Sequence, residues 1–374
     1  MMLFKFELNK LLIKQKAILI IFAFIIVKII FLFISPLTND LVIERNKANY
    51  NHYMNTLSGK LTDEKKNYIQ EEKKKLEDAR ILTDNLLSNS ERGGITEEEF
   101  VIEMKKNQEV LQREKAFKII LNDLNYIEKN SENRYFLYKT GWNELIAKEN
   151  IDVTLVLLLL AIIVPFFANE YEKGTNLVII PSKKGIRQVV VIKSFISILV
   201  AVLLTCTFAA IEYVFYDIKY GLPSGNYPLQ TLSFFETSIR NVSLIKTFFI
   251  SNILRCAGYI MLVFISIFLS IKLKHSVPAA FFSLCTLIIP YFIFRVGELK
   301  YKLPGPLGNI LAIGFFMGDR TIDDRLVFKG LTLIDFIFVC VTTIIILLLI
   351  YILILKYYSN LRIFTNKKNR SANL

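Results

Sequence analysis

Three charged residues of this sequence stand where charge is costly. Lys28, Glu212 and Arg255 fall within or at the rim of long apolar runs, and a charge inside hydrocarbon costs a few kcal/mol unless it meets a partner or water. Such residues line a polar pathway or pair between helices; for Lys28, a lysine snorkelling from a tilted helix fits equally well. A second set lies in the polar stretch NEYEKGTNLVIIPSKKGIRQVVVIK, Asn169–Lys193, between two apolar runs. Glu170 and Glu172 open it, Gly174 and Thr175 follow, Pro181 stops any helix, and Lys183, Lys184, Arg187 and Lys193 close it. Acids and bases so arranged can make charge-assisted contacts with a soluble partner, and Gly174 frees the backbone to turn. Lysines beside apolar runs also mark the inner side of any membrane protein, so part of this pattern reads as topology alone.

The chemistry that is missing narrows the field. No Gly-x4-Gly-Lys-Ser/Thr phosphate loop occurs: Gly59-Lys60 is followed by Leu61 and lacks the upstream glycine. The only histidines are His52 and His275, in no His-Glu-x-x-His motif, which argues against a zinc hydrolase or a histidine-based triad. Asp152 and Asp335 stand apart, without the paired setting that aspartyl proteolysis needs. Cys206, Cys256, Cys285 and Cys340 all fall in apolar runs and read as packing residues. We therefore expect no catalytic residues, no metal ligands and no cofactor bound by this chain.

The elements that must position these residues are helices. The chain has 374 residues, 53% of them hydrophobic, with mean hydropathy +0.43, and apolar runs of about 20 residues recur along it. The expected fold class is all-α: a polytopic membrane protein with six transmembrane helices at 17–36, 151–168, 189–216, 247–271, 277–294 and 331–355. The first run lacks a small-x-small cleavage site, so it reads as a retained anchor. Residues 1–16 place Phe4, Leu8, Leu11 and Leu12 on one face, as in an amphipathic helix lying in the inner interface, or else form a frayed basic terminus. Lys5, Lys10, Lys14 and Lys16 at one end, and Lys356, Arg362, Lys367, Lys368 and Arg370 in the 356–374 tail, put both termini in the cytoplasm.

Residues 37–150 form a large extracytoplasmic insert. Ile69, Leu76, Ala79, Leu82 and Leu86 recur at helical spacing from Thr62, Ser88–Gly94 reads as a turn, and Thr96 with Glu99 reads as a capping box. An apolar stripe of Phe117, Leu121 and Leu124 then completes a helical hairpin, either simply solvated or binding a cargo or partner. Tyr135, Phe136, Tyr138 and Trp142 are expected as an aromatic belt at the outer interface. Residues 217–246 read as an outer loop. Within 295–330 an apolar core, Leu307–Met317, is too short to span; it is a re-entrant element or a loop with a hydrophobic patch.

Net charge is +13, but the insert carries 19 basic and 21 acidic residues, leaving +15 for the remainder, much of it beside apolar runs. That distribution fits topology signals and a lipid bilayer better than nucleic acid.

Glu172, Gly174-Thr175, Pro181-Ser182, Arg187 and Lys193 resemble the segment after the second span in type-2 ABC transporter permeases. The amphipathic N-terminal helix, the six spans and an outer re-entrant region between spans five and six are similar too; the large insert departs from that pattern. The resemblance implies a permease of a bacterial cell membrane. Its 169–188 segment would dock on a separate ATP-binding subunit that holds ATP and Mg, through Glu170, Glu172, Gly174, Thr175, Pro181, Lys183 and Arg187. It also implies a second permease, identical or different, and export of an amphipathic cargo such as a peptide, antibiotic or lipid-like molecule. The alternative is a membrane-anchored sensor or assembly protein whose insert binds a ligand or partner.

Overall fold

The computed structural model describes residues 2–35, 41–91, 97–147, 151–174, 185–294, 299–303, 305–322 and 325–371. Six helices are long and apolar enough to cross a membrane, as expected of a multi-pass membrane protein. They are span 1 (Ala17–Ile34), span 2 (Val153–Glu172), span 3 (Gly185–Tyr220), span 4 (Leu244–Leu273), span 5 (Ser276–Ile293) and span 6 (Leu333–Ser371). Within the apolar 18-residue stretch of each helix, 67% is buried in span 2 and 56% in spans 3 and 4, against 17% in each of spans 1, 5 and 6. Spans 2, 3 and 4 are thus the most enclosed, and the other three present aliphatic surface. Pro165 sits inside span 2 and Pro290 inside span 5, which membrane helices tolerate because neighbours satisfy the freed carbonyls.

The described chain is not wholly helical. A short antiparallel ribbon, β1 (Arg320–Ile322) and β2 (Arg325–Phe328), precedes span 6, with Arg320 opposite Phe328. Short runs of this kind carry little hydropathy signal, which is why an all-α reading missed it.

The chain divides into two compact units. The first comprises Met1–Ser35, Lys148–Phe215 and Thr247–Leu374; the second comprises Pro36–Ala147 and Tyr216–Lys246.

In the first unit an N-terminal helix, Met2–Asn9, runs into a π-helical turn, Lys10–Lys14, and ends where Lys16 takes a left-handed conformation, φ +57. Part of the expected apolar face packs against the spans. Phe4 meets Phe195 of span 3, ring centroids 6.2 Å apart, and Leu11 is fully buried. Glu7 lies on the same side and is buried with it. A buried carboxylate needs cationic partners, and Glu7 finds them there.

The apolar core of 295–330 is folded against the spans. Residues 306–318 are buried throughout, in a short helix Pro306–Ile310 and a 3-10 turn Ala312–Phe315. Asn309 Nδ2 donates to Thr343 Oγ1 at 3.0 Å. Thr343 lies ten residues into span 6, roughly 15 Å along its axis. Pro306 and Ile310 rest on Gly258 of span 4, where any Cβ would come within 2.8–2.9 Å of them. The segment is thus packed along two helices, spans 4 and 6, with its side chains buried.

In the second unit the expected hairpin forms from Asp63–Glu91 and Glu97–Leu111, followed by the strongly amphipathic helix Glu114–Glu128. Residues 88–91, expected in a turn, continue the first helix; residues 92–96, with Thr96 of the capping box, lie outside the described residues. Phe136, Tyr138 and Trp142 are buried inside this unit and form no exposed belt. Trp142 Nε1 donates to Pro223 O at 2.7 Å, and Tyr126 Oη donates to Gln230 O at 2.6 Å. Arg134 pairs with Glu236 at 3.2 Å and stacks over the Tyr126 ring at 4.2 Å. Residues 217–246 are therefore part of this core, tied to the insert by contacts remote in sequence.

Candidate functional site

The costly charges of the spans resolve into two clusters. In one, Lys28 of span 1 places Nζ 2.5 Å from Glu212 Oε1 of span 3 and 2.7 Å from Asp152 Oδ2. Lys28 and Glu212 are buried. Asp152 does two jobs: Oδ1 accepts from Leu155 N at 3.2 Å and Thr154 Oγ1 at 2.5 Å, capping span 2, while Oδ2 takes the lysine. The Phe208 ring lies 5.8 Å from the ammonium. From span 4, Arg255 shares with Asp152 and Glu212 the electrostatic surroundings of the buried Tyr259 phenol. Lys28 with the two carboxylates sums to −1. Of the expected polar residues, Lys28 and Glu212 are thus joined directly.

The second cluster occupies the other end of spans 2 and 3. Lys193, 1% exposed, places Nζ 2.5 Å from Glu170 Oε1, and Lys10 of the N-terminal turn reaches the same oxygen at 2.6 Å. Glu7 adds its carboxylate at 3.9 Å from Lys193 and 3.8 Å from Lys10. Lys193 also donates to Phe166 O at 3.0 Å and lies 4.7 and 5.3 Å from the Phe166 and Phe167 ring centroids, a desolvated cation–π setting. Two acids and two bases balance. Glu170 lies eighteen residues beyond Asp152, and Glu212 nineteen beyond Lys193, so the clusters stand about 27–29 Å apart along the helices. That is close to the thickness of a bilayer's hydrocarbon core, ~30 Å.

Glu170 was expected to face a soluble partner; it is only 8% exposed and binds two lysines of its own chain. The cause is the Lys10–Lys193 pair, which no short-range pattern reveals. Glu172, two residues on and exposed, makes a different contact. Its Oε1 accepts from Ser276 N at 2.6 Å and Ser276 Oγ at 2.8 Å, so it caps span 5, whose N-cap position is His275. Gly174 takes φ +66 with open space around the missing Cβ; its requirement is conformational, not steric. Thr175, Pro181 and Lys183 lie outside the described residues, as does the side chain of Arg187, whose backbone belongs to the first turn of span 3.

Sequence reasoning missed Glu7, Lys10, Asp152 and Ser276 as members of these contacts. One signal was there to read: Asp152 directly before an apolar run is an N-cap signature. Lys193 stood in the expected polar stretch without an assigned partner. Among the described residues no group of three His, Cys, Asp or Glu is placed to hold a metal ion. Comparison with family models, with curated proteins and with solved structures finds no match.

Proposed function

We propose that this chain is the membrane subunit of an ATP-driven exporter, of the type-2 permease kind that its 169–193 segment resembles. ATP and Mg belong to a separate subunit docked on the 169–188 segment, and a second permease completes the assembly in a bacterial cell membrane. The observation that carries the reading is the way the end of span 2 is tied. Glu170 is bonded to Lys193 of span 3 and Lys10 of the N-terminal turn, and Glu172 to the first residue of span 5. A push on the segment leaving span 2 therefore reaches the N-terminal helix and spans 3 and 5 through ion pairs and a cap. This is the stiff linkage that a rigid-body switch between inward and outward states needs. An aliphatic and aromatic bundle suits an amphipathic cargo.

The test is capture of the full chain from its native membrane in mild detergent. An ATP-hydrolysing protein should accompany it and be lost when Lys183 and Arg187 are both changed to Glu. Its absence from the parent preparation would remove the reading. A second reading, a membrane-anchored assembly protein, draws on the separate core of the Pro36–Ala147 and Tyr216–Lys246 unit. It would be favoured by capture of a partner through that unit without any ATPase.

A further inference from the structure

We infer that the outward stripe of the N-terminal helix, Met2, Phe6 and Ile13 framed by Lys5, Lys14 and Lys16, is a docking surface for the headgroups of anionic phospholipid. Met2 is 92% exposed, Phe6 55% and Ile13 65%. Met2 and Phe6 stand one turn apart and share a face, and Lys14 Nζ lies 5.7 Å over the Phe6 ring, which puts its charge beside the apolar stripe. Lys5, Lys14 and Lys16 are all exposed.

Charge sorts across this helix. Its one acid, Glu7, is buried in the second ion cluster, where Lys10 also reaches. What remains outside is three lysines and an apolar stripe with no acid among them. Apolar side chains in the acyl boundary with lysines at headgroup level is the chemistry of an interfacial helix on an anionic leaflet. Close by in the chain, Ile18, Leu19 and Phe22 at the start of span 1 are exposed as well. The left-handed Lys16 separates the two helices, so the first is free of span 1's helical direction. The inference does not rest on the transport reading; it holds for any membrane protein with this terminus.

The experiment uses the full chain carrying Phe6→Trp in lipid nanodiscs, with the signal of the native Trp142 subtracted using the parent. Discs contain phosphatidylglycerol and phosphatidylcholine at one fixed ratio, with bromine on the acyl chains of one or the other. Brominated phosphatidylglycerol should quench position 6 more strongly than brominated phosphatidylcholine at equal mole fraction. The triple variant Lys5→Gln, Lys14→Gln, Lys16→Gln should abolish that difference, each lysine accounting for up to roughly a fivefold preference. Those three side chains are exposed, so the variant should unfold at the parent's temperature. Equal quenching of position 6 by the two lipids in the Phe6→Trp chain with its lysines intact, or no quenching of it by either, overturns the inference. So does a crosslink from position 6 to a second copy of the chain, which would assign the stripe to a protein contact.

Discussion

Lys193 Nζ lies 2.5 Å from Glu170 Oε1, deep in the first unit, and Lys10 approaches the same oxygen from the N-terminal turn. One carboxylate thus fastens three elements. Replacing Lys193 with Met leaves Glu170 and Glu7 with one lysine between them in a dry site, which should cost on the order of 3–5 kcal/mol. Hydrogen exchange should rise across residues 3–14 as the N-terminal helix loosens. Unchanged exchange there would show that the helix is held by Phe4 and Leu11 alone.

Lys28→Met should be more damaging than its size suggests, because it strands Asp152 and Glu212 together. A loss of about 3–5 kcal/mol is expected for the single variant. Adding Glu212→Gln should recover a substantial part of it, since the stranded charge is then removed. Thermal unfolding of the full chain in nanodiscs checks both. A double variant no better than the single one would mean that the triad is not an electrostatic unit.

Two glycines should fail for opposite reasons. Gly174→Ala meets open space and costs about 1–2 kcal/mol of backbone strain at φ +66, with Gly174→Asn milder. Gly314→Ala drives its Cβ into the Tyr301 ring, so the buried 306–318 segment must shift. Thermal stability should fall further for Gly314→Ala, and Gly314→Asn should be worse still. Equal tolerance of Ala and Asn at both sites contradicts the account.

How much of this was legible beforehand follows the range of the interactions. The six spans came from runs of apolar residues, a local property, and their placement agrees with the helices within a few residues except for the tail of span 6. Lys28 and Glu212 could be singled out as misplaced charges, but not as partners, because 184 positions separate them. For the N-terminal helix, periodicity finds an apolar face and cannot tell protein from lipid; Leu11 on that face is buried. Glu7 sits on that face, and a buried acid there was the clue that it faces protein. Residues 217–246 looked like an independent loop because Pro223, Gly225 and Pro228 signal turns. That they complete the Trp142 core depends on folding.

In the second unit Tyr53 supplies a pH test. Burial, then the charge of Glu72, pushes its phenol up to about 12 from an ordinary 10, and its buried hydroxyl has no hydrogen-bond partner among the described residues. The raised folded value means that neutral tyrosine is favoured in the fold. Its contribution is complete below pH 10 and is lost as pH rises from 10 towards 12, because the unfolded chain ionises first. The size is about 2–3 kcal/mol. Trp142, the only tryptophan and buried in this unit, reports the transition. Tyr53→Phe should flatten that alkaline limb and be at least as stable at pH 7; an unchanged limb would assign it to other groups.

Glu172→Ala should leave assembly intact and weaken only the start of span 5. Loss of the cap on Ser276 costs about 1 kcal/mol, visible as faster exchange at residues 276–279. An effect spread over all spans would contradict a local capping role.

The linkage through the end of span 2 is tested most directly in the captured complex, by comparing hydrogen exchange with and without trapped ATP. The account predicts that nucleotide trapping changes exchange at residues 3–14 and at 274–279 together, and that Lys193→Met removes the first change while sparing the second. ATP hydrolysis that proceeds with exchange at both segments identical in the two states would contradict it.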